Sequence, residues 1–201
     1  MKKRFVILAI IAAISSGYAQ YGGISGFTYS TAQTMGETKE WIQEYSWRGF
    51  ALQYNYFMTD KTSLGFETGW NVFGERLDGV TTLAQGAISG TQIRELSAIP
   101  FLFTGNYHFK PLWDDISPYM SIGLGAYYVT DKLSAGVFAR NVDNLHFGIA
   151  PEFGFYVPVG DVFLKFALKY NRAAPAGESS IGDKRGYSFL ALNAGLAFTT
   201  F

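Results

Sequence analysis

Asp161-Val162-Phe163-Leu164-Lys165-Phe166-Ala167-Leu168-Lys169-Tyr170-Asn171 alternates from end to end. Val162, Leu164, Phe166, Leu168 and Tyr170 share one parity, while Lys165, Ala167, Lys169 and Asn171 share the other. Successive side chains of a strand point to opposite faces, so this period of two predicts a strand with one greasy face. The opposite face carries two lysines among small residues and needs acidic partners from elsewhere in the fold.

The pattern recurs. Eight segments carry it: 21–30, 46–58, 63–74, 94–109, 117–129, 144–157, 161–171 and 187–200. In 63–74, Leu64, Phe66, Thr68, Trp70 and Val72 oppose Gly65, Glu67, Gly69 and Asn71. In 46–58, Phe50, Leu52, Tyr54 and Tyr56 oppose Gly49, Ala51, Gln53 and Asn55. In 144–157, Phe147, Ile149, Phe153, Phe155 and Val157 oppose Gly148, Glu152 and Gly154. In 117–129, Met120, Ile122, Leu124 and Tyr128 oppose Ser121, Gly123 and Gly125. The apolar members are large and their opposites small or polar. A soluble sandwich or lipocalin-like barrel turns its large side chains inward and covers itself with charge. Here the polar face is too rich in glycine and too thinly charged for a solvated exterior. It suits a narrow lumen with room for small side chains and a few paired ions, with the greasy face turned to lipid.

The connections, in order 31–45, 59–62, 75–93, 110–116, 130–143, 158–160 and 172–186, alternate long and short. Outer-membrane barrels have long external loops and short periplasmic turns, so this segregation predicts an up-and-down barrel with both termini inside. Turn chemistry marks the short links: Thr59-Asp60-Lys61, Pro111 with Asp114-Asp115, and Pro158 to Gly160. Aromatics gather at strand ends, where interfacial girdles belong. Tyr56, Tyr107, Phe109, Tyr119, Tyr156, Phe163 and Phe198 fall at the inner ends. Tyr29, Trp47, Phe73, Tyr127, Tyr128, Phe147, Tyr170 and Tyr187 fall at the outer ends. Closure follows from the solvent. In hydrocarbon each unpaired backbone group costs several kcal/mol, so the eighth segment must pair with the first.

The first nineteen residues read as an address. Lys2, Lys3 and Arg4 precede an apolar run over residues 5–14, and Gly17-Tyr18-Ala19 closes the segment with small residues. That order predicts a signal peptide cleaved after Ala19, because the run is too short to span a bilayer. Residues 20–201 form one barrel domain. Their thirteen basic and sixteen acidic residues leave a charge of about −3, and no basic stripe suggests nucleic acid. The absence of cysteine excludes both a disulfide framework and lipid attachment through an N-terminal Cys.

The chain resembles the small outer-membrane β-barrel family of Bacteroidetes, the PorT-like group, and more distantly the eight-stranded OmpA and OmpX barrels. The resemblance lies in Ile99-Pro100, Pro118-Tyr119 with Gly123-Leu124-Gly125, Phe147-Gly148 and the terminal Phe201. It implies an integral outer-membrane protein that contacts membrane lipid and the barrel assembly machinery, the latter reading Phe201 as an assembly signal. Three departures stand out. Phe201 is out of phase with Leu190, Leu192, Leu196 and Phe198 unless a bulge intervenes. Pro100 and Pro151 each remove a ladder hydrogen bond from a central strand, which predicts local bulges. Arg48 has outward parity and belongs above the hydrocarbon at the external rim.

The inward register holds Glu67, Glu152, Lys165 and Lys169. Buried charges must find partners, so the two glutamates should pair with Lys165 and Lys169 as a lumen charge network. This network is read as a structural plug, with a gated ion path as the sharper alternative. A hydrolase needs a base beside a nucleophile. His146 at the rim, with Ser188 across strands, is the sole candidate dyad; its surroundings carry no recognisable spacing, and His108 lies at the opposite end. No catalytic, cofactor or metal site is expected. The loops 75–93 and 172–186 look flexible and polar, and a binding function would reside there. The sequence therefore predicts an all-β, closed, antiparallel, up-and-down eight-stranded transmembrane barrel, monomeric and not an enzyme. Its expected role is envelope structural, or surface binding or accessory to an envelope protein through its external loops. A narrow pore, an outer-membrane lipid hydrolase and a soluble periplasmic lipocalin-like barrel are the alternatives.

Overall fold

The alternating segments close on themselves. The computed structural model describes residues 22–83, 86–112, 115–182 and 184–200, with backbone alone for those of 81–88 that it includes. Eight strands follow one another around the ring: β1 (Gly23–Thr34), β2 (Arg48–Phe57), β3 (Thr62–Leu83), β4 (Gly86–His108), β5 (Ser117–Ala135), β6 (Phe138–Val159), β7 (Val162–Ala173) and β8 (Tyr187–Thr200). Every neighbouring pair is antiparallel, and β8 closes on β1 from Gly23↔Thr200 to Thr34↔Phe189 in one unbroken register. Residues 1–19, read as a signal peptide, and Phe201, read as an assembly signal, lie outside the described residues.

Parity sorts the wall as the sequence predicts. Phe27, Leu52, Leu64, Phe103, Ile122 and Phe153 are exposed on the outside. Thr28, Asn55, Glu67, Thr104, Glu152 and Lys169 are buried inside. An apolar belt of this extent around a whole molecule has no place in water and is what a barrel offers to lipid.

The strands run further than expected at one end. The segments 75–93 and 130–143, read as loops, are the continuing arms of two hairpins. β3 and β4 stay paired to Leu83↔Gly86, and β5 and β6 to Ala135↔Phe138. Outside a bilayer neither face must be greasy, so the period-two signal fades while backbone pairing goes on. The β5–β6 turn is Gly136-Val137, with Gly136 at φ 58; the β6–β7 turn is Gly160-Asp161, with Gly160 at φ 62. Glycine with positive φ at the first of two turn residues matches the twist of the flanking strands. Residues 35–47 join β1 to β2 through the short helix α1 (Gly36–Trp41).

Neither proline carries the bulge expected of it. At Pro151 the β6–β7 ladder lacks the pairs Ala150–Asn171 and Pro151–Tyr170, yet Ile149↔Arg172 and Glu152↔Lys169 keep the same offset on either side. At Pro100 the β3–β4 ladder skips two pairs between Thr68↔Phe101 and Asn71↔Ala98, again with no shift. Each missing N–H is absorbed as a local gap in the wall, and no extra residue is inserted.

Candidate functional site

The lumen is filled in three storeys. The middle one is ionic. Glu152 on β6 and Lys169 on β7 face each other directly in the register, as do Gln53 on β2 and Glu67 on β3. Lys169 Nζ sits between Glu67 and Glu152, 2.7 Å from Glu152 Oε2 and in hydrogen-bond contact with both Glu67 oxygens. Lys165 Nζ lies 2.9 Å from Glu152 Oε1 and donates to Gln53 Oε1. Tyr119 OH donates to Glu152, and Gln53 Nε2 donates to Tyr156 OH at 2.8 Å. Two cations thus meet two anions in one continuous chain, Gln53–Lys165–Glu152–Lys169–Glu67. All four charges lie together inside the wall, where unpaired they would be very costly. Gln53, Tyr119 and Tyr156 complete the network; the sequence places Gln53 on the inward face without a role in it, and reads Tyr119 and Tyr156 as interfacial.

The other two storeys correct the expectation of small lumen residues. Toward the inner end, Tyr119, Tyr156, Phe57 and Phe163 are buried with Ile24 and Leu112. The Tyr119 and Tyr156 rings pack at 4.9 Å, tilted by 32°, and His108 stacks on both at 5.6 and 5.9 Å. Toward the outer end, Phe73, Phe189, Leu96, Leu102, Tyr127 and Tyr187 form a second buried cluster. Six aromatics read as interfacial, namely Phe73, Tyr119, Tyr127, Tyr156, Phe163 and Tyr187, therefore face inward. Small wall residues make the room. A Cβ at Gly154 would meet Tyr119 Cε1 at 2.9 Å, and one at Gly148 would meet Tyr127 Cε2 at 2.7 Å. The inward glycines, read as filling a tight interior, are the seats on which those rings lie.

The outer mouth is covered. Trp41 and Ile42, at the end of α1, join the outer cluster. The Arg94 guanidinium lies 4.0 Å from the Trp41 ring centre and donates to Trp41 O at 2.9 Å; Arg185 lies 5.2 Å from the same ring. Residues 174–182 are held from below by Asp131, to whose Oδ1 Ser180 Oγ donates at 2.9 Å, while Tyr187 OH at the start of β8 donates to Oδ2 at 3.2 Å. The loop read as flexible over 172–186 is therefore in part folded into the mouth, and its first two residues, Arg172 and Ala173, still belong to β7.

The His146–Ser188 dyad does not form. His146 faces the lumen at 1% exposure, its Nδ1 2.8 Å from Ala174 O and its ring edge-on to Tyr187. Ser188 has the opposite parity on β8, and its Oγ donates to Met35 O. β7 stands between their strands. Among the described residues no group of three or more metal-ligating side chains assembles. Arg48 stands exposed on the outward face at the start of β2.

Above the wall, β3, β4, β5 and β6 continue as a four-stranded sheet. The neighbouring ladders have ended by then, β2–β3 at Arg48↔Val72 and β6–β7 at Gly148↔Ala173. Part of the β6 edge is tied down, with Ala174 N bonded to Phe147 O and Arg140 3.5 Å from Glu178. On the β3 edge, Glu75 accepts from Gln43 N at 2.9 Å. Beyond it, residues 76–80 make no described backbone hydrogen bond except to β4.

No family model matches the chain, and no curated protein matches it in sequence. Solved structures do resemble it. Neisserial surface protein A superposes with a TM-score of 0.53 at 12% identity, covering 90% of this chain and 97% of that one. The N-terminal β-barrel domain of OprF from Pseudomonas aeruginosa gives 0.49 at 14% identity, covering 89% and 100%. The likeness is one of fold. This chain has the fold of the small eight-stranded outer-membrane barrels, and the narrower PorT-like resemblance finds no match of its own.

Proposed function

We propose that the chain is an integral outer-membrane barrel, exported by its N-terminal segment, of PorT-like type and without catalytic activity. In this reading it passes no solute and binds a surface or envelope partner through its outer sheet. The observation that carries the binding role is the β3 edge over residues 76–80, which leaves the four-stranded sheet at Leu77↔Gln92 and runs on into the two-stranded β3–β4 arm above a packed barrel. An exposed edge offers a row of free backbone donors and acceptors to an added strand, and side chains set the specificity. Val80, 71% exposed near the tip, gives that edge an apolar contact. The closed lumen supports the non-conducting part: an aromatic storey lies on each side of the ion network, and α1 with residues 174–182 caps the mouth.

The test replaces residues 78–91 by Asn-Gly, so that Leu77↔Gln92 closes on a two-residue turn. A photo-crosslinker placed at Arg76 in intact cells should give one discrete adduct in the full-length protein and none in the shortened one, while both insert equally. Identical adducts in both would end the edge-binding reading, and discrete single-channel steps from the purified protein would restore the pore.

A further inference from the structure

The outer end of β2 and the stretches of β3 and β4 beside it enclose a notch of about 270 Å³ on the outward face, lined by Arg48, Gly49, Phe50, Trp70, Val72 and Glu95. Its floor is apolar and its rim carries a cation. The Arg48 side chain lies across β3, since a Cβ at Gly74 would meet Nη2 at 3.0 Å. No carboxylate oxygen among the described residues comes within salt-bridge reach of Arg48. Glu95, the acid in the notch, stands opposite Gly74 in the β3–β4 register and opposite Lys132 in the β4–β5 register, and among the described residues it is within salt-bridge reach of neither Arg48 nor Lys132. Arg48 has Val72 as its register partner on β3.

The surroundings mark the depth. Trp70 Nε1 donates to Ser97 Oγ at 2.5 Å, Tyr45 packs edge-on against Trp47 at 5.0 Å, and Tyr29 OH donates to Trp47 O. Amphipathic rings with satisfied polar tips settle where hydrocarbon meets headgroups. A guanidinium beside them, without an acidic partner and aimed along the lipid-facing wall, meets phosphate at that level, and its planar fork matches phosphate oxygens two at a time.

We infer that this notch binds the phosphate of an outer-leaflet lipid, with Arg48 on the phosphate and Phe50, Val72 and Trp70 against the first part of an acyl chain. The inference rests on the outer-membrane reading. A ligand that binds only the folded state raises its apparent stability, so thermal unfolding followed by heat-modifiable gel mobility reads occupancy. The protein is inserted in phosphatidylcholine vesicles alone, with diphosphoryl lipid A, or with its dephosphorylated form. Wild type should gain several degrees from the phosphorylated lipid and little from the other. Arg48→Ala should lose at least half of that gain while matching wild type in plain phosphatidylcholine, and Glu95→Gln should keep it. Equal gains in wild type and Arg48→Ala would overturn the site. So would inorganic phosphate alone reproducing the gain, or an equal loss of stability in Arg48→Ala and Glu95→Gln in plain vesicles, which would mean that Arg48 pairs with Glu95. Failure to insert at all would instead overturn the outer-membrane reading.

Discussion

Glu67 on β3 and Lys169 on β7 meet across the barrel, four strands apart in a ring of eight, with both side chains buried. The contact ties opposite walls together, so the network acts as a strut as well as a means of neutralising charge. Breaking a buried pair from one side leaves an uncompensated charge and costs about 3–5 kcal/mol. Lys169→Met should therefore destabilise by that amount in urea unfolding from vesicles. Adding Glu67→Leu should recover part of the loss, because the stranded charge is removed. A single variant as stable as wild type would show that the strut carries no weight.

Lys165 separates plug from path. It links Gln53 to Glu152 in the middle storey, with the Tyr119 ring centre 5.5 Å from its Nζ. In planar bilayers, wild type and Lys165→Met should be equally non-conducting. Conductance that appears or changes with the substitution would identify Lys165 as part of an ion route.

The inward aromatics make a prediction that interfacial ones would not. Phe73 packs against Phe189 at 5.2 Å inside the outer storey. Phe73→Ala should cost about 3–5 kcal/mol, the usual loss for emptying a buried phenylalanine site. Tyr29→Ala, on the exposed face, should cost markedly less. Comparable losses at the two sites, measured by unfolding in lipid, would contradict the packed lumen.

Orientation of β7 is tested by adjacent residues. Phe166 is 40% exposed on the outside, and Ala167 is 7% exposed within the inner cluster. Phe166→Arg places a charge at the lipid face and should cost about 2–4 kcal/mol near the midplane. Ala167→Ser should cost less. The reverse order would mean that the register is inverted.

Much of the wall was legible because lipid imposes a rule on every spanning residue. The parities of Phe166, Leu64 and Ile122 against Lys165, Glu67 and Gly123 are visible without any contact map, and they place Glu67, Glu152, Lys165 and Lys169 on one inner surface. Strand ends were less legible. Outside the bilayer, residues such as Asp78, Thr91, Lys132 and Asn141 obey no solvent rule, so paired arms read as loops. Tyr119 and Phe163 carried inward parity, but their place at strand ends drew them into a girdle.

Period-two alternation, turn residues and connection lengths determined by themselves the strand number, the closure and the two faces, since each rests on local geometry repeated along the chain. Only the tertiary structure decided which lysine meets which glutamate, that aromatic rings fill the lumen above and below them, and that α1 and residues 174–182 cap the mouth. Those outcomes depend on shear and packing between strands far apart in sequence. A one-dimensional pattern records which way a side chain points, and not what stands across from it.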